Sequence, residues 1–149
     1  MTQKLAVVLI AVALASTAYA QKAAPTAKTA SEFFVKYHDA MAAAKSIDDL
    51  RPFMDADQQK EMDAAPKAEQ EMGVKMISGM YADITGVKVV KETAKGNVYT
   101  LDVTATQASD KQAGTGTVEI SKDNAGWHVD SETWKFGGST MTLKSKKKP

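Results

Sequence analysis

The sequence predicts an α+β domain in which N-terminal helices cover one face of an antiparallel sheet of four to five strands. Three observations carry this. Apolar residues fall at helical spacing up to about Ala82, the period becomes strictly alternating after Gly86, and Gly- or Asn-containing turns separate the alternating runs. Helices followed by hairpin-linked strands pack as two layers around one core.

The helices start at cap signatures. Thr29-Ala30-Ser31-Glu32 has the form of a capping box, and Phe33, Phe34, Tyr37 and Met41 follow as one apolar stripe ending near Lys45. Ser46-Ile47-Asp48-Asp49 repeats the pattern before a short helix through Leu50, Phe53 and Met54, which Pro52 keeps short. Asp55 or Asp57 caps a third segment, and Pro66 kinks or restarts it. Met76, Ile77, Met80, Tyr81 and Ile84 then share a face to about Ala82, although Gly73 and Gly79 each weaken a helix by up to about 1 kcal/mol.

The strands follow from alternation. Val87 and Val89 open the first, and Lys95-Gly96-Asn97 turns the chain. Tyr99, Leu101, Val103 and Ala105 then alternate with Thr100, Asp102, Thr104 and Thr106. Val118 and Ile120 lead to the turn Lys122–Gly126, Trp127 and Val129 alternate with His128 and Asp130, and Met141 and Leu143 close the series after Gly137-Gly138. On this pattern Ile120 is expected opposite Trp127, and Glu119 opposite His128 on the outer face.

Residues 1–20 are expected to be a signal peptide: Lys4, the apolar run Leu5 to Ala15, then Ala18-Tyr19-Ala20, with cleavage before Gln21 and export to a periplasmic or extracellular space. The run falls short of the roughly 20 apolar residues of a transmembrane helix, so no stable membrane anchor is expected, and a chain with 0 Cys offers no thiol for lipid attachment. Residues 21–28 are expected to form a flexible leader, 29–143 the single domain and 144–149 a basic tail carrying Lys144, Lys146, Lys147 and Lys148. Loss of Lys4 from 19 cations balances the 18 anions, and this neutrality argues against nucleic acid as a partner. The missing cysteines also exclude thiol catalysis and thiolate metal sites.

The element order, the turn Asn124-Ala125-Gly126-Trp127 and Trp134 resemble small secreted members of the nuclear transport factor 2-like superfamily, whose cone-shaped fold is shared with ketosteroid isomerase. The resemblance spans Thr29 to Leu143. It implies a curved sheet wrapped around the helices, with a ligand site in the mouth of the cone.

An isomerase or dehydratase in such a cone needs an inward carboxylate or histidine. The alternation turns Asp102, His128 and Asp130 outward, so no catalytic residue is assigned, and only the phenols of Tyr37, Tyr81 and Tyr99 are left near a cavity. His128, Asp130 and Glu132 read as a solvated outer stripe rather than a divalent-metal site, and His38 as a surface or rim residue. Met72, Met76 and Met80, with Met62 upstream, read as a flexible core stripe rather than a copper site. The cluster Asp48, Asp49, Asp55, Asp57, Glu61 and Asp63 reads as caps and solvated face. No metal or other cofactor is expected.

The expectation is therefore an exported, non-catalytic domain. It binds a small apolar or amphipathic ligand, or a protein partner, through Phe33, Phe34, Tyr37, Met80, Tyr81, Tyr99, Leu101 and Trp127. The alternatives are an isomerase or dehydratase of the cone fold and an assembly domain whose cone is filled.

Overall fold

The computed structural model describes residues 23–145; the expected signal peptide and Lys146 to Lys148 lie outside them. The Thr29 hydroxyl accepts the Glu32 N–H at 3.1 Å and starts α1 (Ala30–Ala43). Glu32 does not close the box on the cap itself, since its carboxylate takes the Lys28 N–H at 2.9 Å. A complete capping box at Ser46 and Asp49 opens α2 (Ile47–Leu50), and Pro52 sits in the single 3-10 turn that follows, Arg51–Phe53. Asp55 and Gln58 form another box at α3 (Ala56–Ala64). Pro66 restarts the chain as α4 (Lys67–Asp83). Gln70 Nε2 donates to the carbonyls of Met62 and Ala65 at 2.8 and 3.0 Å, satisfying acceptors that the end of α3 leaves open.

Five strands follow: β1 (Ile84–Lys95), β2 (Val98–Gln107), β3 (Gln112–Asp123), β4 (Gly126–Phe136) and β5 (Ser139–Lys144). Each pairs antiparallel with the next, giving the meander order β1-β2-β3-β4-β5. Leu101, Val103 and Ala105 of β2, Val118 and Ile120 of β3, and Trp134 and Phe136 of β4 pack under Ala30, Phe33 and Phe34 of α1. Asp102 is exposed beside Thr117, as alternation requires. Met41, Ala44, Leu50, Val74 and Tyr81 form a smaller cluster among the helices.

The β3–β4 hairpin departs from the expected register. Ile120 lies opposite Val129, Ser121 opposite His128 and Lys122 opposite Trp127, because the chain turns in only two residues, Asn124 and Ala125. Farther along, Glu119 pairs with Ser131, so Asp130 is an extra residue of β4 that the ladder with β3 skips. This bulge reverses the phase of β4. Trp127 and Val129 pack inward before it, and Glu132, Trp134 and Phe136 after it. Glycine across the ladder makes room for the second set. A Cβ on Gly116 would lie 2.8 Å from the Trp134 ring, and one on Gly114 would lie 2.2 Å from Phe136. Bulges also interrupt β1, between Thr85 and Lys88 and between Val89 and Lys91.

Candidate functional site

A cavity of about 260 Å³ opens where α1, the 3-10 turn and α4 meet the ends of β4 and β5. Phe33 and Tyr37 reach it from α1, Phe53 from the turn, Ile77, Met80 and Tyr81 from α4, and Trp127, Val129 and Glu132 from β4. Of the residues expected to line a ligand site, Phe33, Tyr37, Met80, Tyr81 and Trp127 do line this cavity. Phe34 and Leu101 are instead sealed in the main core, and Tyr99 stands behind Trp127 with ring centroids 5.1 Å apart. Trp127 stacks on Phe33 at 6.1 Å, and its indole N–H donates to the Ala27 carbonyl at 3.2 Å. The described part of the expected leader therefore fixes one wall of the cavity, helped by Lys36 Nζ donating to the Thr26 carbonyl at 2.7 Å.

Glu132 corrects the assignment of an outer polar stripe. It is 1% exposed, with Tyr81 Oη donating to Oε1 at 2.5 Å and Trp134 Nε1 donating to Oε2 at 3.1 Å. A carboxyl group therefore does enter the cavity wall, against the inference that every candidate acid points outward. Both oxygens accept hydrogen bonds, which favours the carboxylate, but burial dominates and pushes its pKa above the usual range. No described ion pair includes it. The Tyr37 and Tyr81 hydroxyls lie 3.0 Å apart, and both phenols are pushed up, first by burial and then by the negative charge of Glu132.

While Tyr81 donates to the Glu132 carboxylate, the Tyr37 hydroxyl is left to donate to the Tyr81 oxygen or to the carboxylate itself.

His38, expected at the surface or rim, is 4% exposed. It packs edge-on against Tyr81, ring centroids 5.3 Å apart, and its Nε2 has no hydrogen-bond partner. Burial lowers its pKa, opposed by the nearby Asp39 carboxylate. Met72 and Met76 correct the core stripe in the other direction, each being 71% exposed, because α4 turns Val74 and Tyr81 inward instead. Met80 alone of the three reaches the cavity.

His128, Lys144 and Ser145 stand at the cavity mouth. His128 Nε2 lies 3.0 Å from Asp123 Oδ1, and this contact leads the causes that lower the Asp123 pKa. With His128 directed to Asp123 and Glu132 buried, the stripe His128, Asp130 and Glu132 does not converge. Among the described residues no group of three or more His, Asp or Glu is placed to hold a metal ion. The acidic cluster is divided between caps at Asp49 and Asp55 and a bridge in which Arg51 reaches Asp48 at 2.8 Å and Asp63 at 2.6 Å. Among the described residues no helix is long and apolar enough to cross a membrane.

Glu132 is the residue that sequence reasoning missed, yet a signal for it existed. Trp127 and Val129 are odd-numbered while Trp134 and Phe136 are even-numbered, and both pairs can be buried only if the strand changes phase between them. Compared with known proteins, the chain matches no family model, no curated protein and no solved structure.

Proposed function

We propose that this chain is an exported, non-catalytic binding domain that holds a small amphipathic molecule in the cavity between its helices and β4–β5. The carrying observation is a cavity of about 260 Å³ whose apolar and aromatic walls end on the hydrogen-bonded chain Tyr37–Tyr81–Glu132. Ligand sites combine apolar walls with a few fixed polar groups, and this volume lies just under the roughly 300–1,000 Å³ common for drug-sized ligands. The ligand is accordingly small, with its polar end on the phenol–carboxyl chain. The bulged meander packed on N-terminal helices supports the nuclear transport factor 2-like cone as the architecture, since bulges bend strands. Export rests on the signal-peptide pattern of residues 1–20.

Mass spectrometry of the protein purified under native conditions tests the reading. A small molecule that copurifies and is lost on Met80→Trp, which fills the cavity, is the expected result; a protein with no copurifying molecule and no ligand-induced rise in Tm counts against it. One observation favours a second reading. Glu132 places an acid beside the cavity, as an isomerase or dehydratase would need. Turnover lost on Glu132→Gln with the fold intact would make that reading the better one.

A further inference from the structure

Resting on the binding reading above, we infer that the cavity's ligand is a small organic cation, an amine or quaternary ammonium compound, held by the Glu132 carboxylate and the aromatic rings around it. Two independent features point there. The first is charge. Glu132 is fully buried, its partners Tyr81 and Trp134 are neutral donors, and no described lysine, arginine or histidine pairs with it. A buried acid without a counter-charge is costly, and an incoming ammonium supplies what the protein lacks.

The second feature is the wall. Phe33, Tyr37, Phe53 and Tyr81 place four aromatic rings around one small space beside Trp127, whose own ring already carries the Lys122 ammonium at 4.5 Å, and ring faces attract cations, best when water is excluded. The other polar side chains along the wall are uncharged, Gln58 and Ser131, so the interior holds no competing cation. The basic groups, His128 and Lys144, stand at the mouth, where His128 is directed to Asp123 and Lys144 is exposed. An anion would find cations at the entrance but meet Glu132 inside. A cation meets the reverse and gains most where it is least hydrated.

The test is calorimetric titration of the purified protein with choline and with its uncharged carbon isostere dimethylbutanol, which has the same shape and hydroxyl. We expect choline to bind about tenfold or more tightly than the isostere, a preference of the size that a desolvated cation–ring site provides. In Glu132→Gln, which keeps the side chain's shape, choline affinity should fall about tenfold or more while that of the isostere is unchanged. Equal binding of the two probes by the unaltered protein would overturn the inference and leave a neutral-ligand cavity standing. Binding of neither would also overturn the inference, while copurification under native conditions decides separately whether the binding reading stands, and the comparison in the unaltered protein needs no variant to fold.

Discussion

The two halves of β4 have the same alternating pattern and opposite consequences. In Gly126–Val129 the inward residues are half-buried: Trp127 and Val129 form part of a cavity wall, and His128 faces solvent against Asp123. In Ser131–Phe136 the inward residues are sealed, with Trp134 at 0% exposure over Gly116 and Glu132 at 1% between Tyr81 and Trp134. Asp130 divides the halves. Its carbonyl accepts the Ser145 N–H at 3.0 Å and its carboxylate the Ser121 hydroxyl at 3.1 Å, so the bulge also fastens the end of β5 at the cavity mouth. One half of a strand can serve packing and the other a ligand site when a single extra residue shifts the face between them.

The largest test sets the two tryptophans against each other. Trp134→Ala removes a fully buried ring and the Nε1 donor to Glu132, and should cost about 3–5 kcal/mol in urea unfolding. Trp127→Ala removes a half-buried ring and should cost clearly less. Equal losses would mean that both halves carry the core alike.

A medium effect separates the halves by their response to pH. Glu132 has a folded pKa raised above 4.5, so it gives its full stability below about pH 4.5 and loses it as pH rises through the folded value. Glu132→Gln removes this dependence. The difference in unfolding free energy between the parent and the variant should therefore fall with rising pH by up to about 1.4 kcal/mol per unit, then level off. A difference that grew with pH would mean that the carboxylate is stabilised where it lies. Adding a bound cation should reverse the slope.

The smallest effect belongs to the outer face of the first half. His128→Gln breaks an exposed contact with Asp123 and should move Tm by no more than about 2–3 °C. A larger drop would make His128 part of the structural half.

Much of the fold was legible because its signals are local. Thr29, Ser46 and Asp55 cap helices through bonds within three residues, Pro66 restarts a helix through its own ring, and Gly96 with Asn97 sets a hairpin from two residues, whereas the Lys122–Gly126 turn was legible only as a turn and not in its register. The inward set Leu101, Val103, Val118 and Ile120 follows from alternation alone. Composition likewise removed thiol chemistry from consideration, a conclusion no tertiary contact can alter.

Tertiary structure decided the rest, because phase and burial are properties of partners. Nothing local to Asp130 makes it an extra residue. It becomes one because the turn at Asn124 sets the start of the β3–β4 ladder while Gly114 and Gly116 accept Phe136 and Trp134 farther along, and the two registers differ by one. Helical spacing puts Val74 and Tyr81 on one face of α4 and Met72 on the opposite one, and packing against α1 decides which face is covered, burying Val74 and Tyr81 and leaving Met72 and Met76 in water. His38 is buried by the rings of Phe34 and Tyr81, one of them on another helix. The cavity acquires its acid in the same way: Glu132 is an ordinary strand residue until the phase of β4 is fixed by what lies across from it.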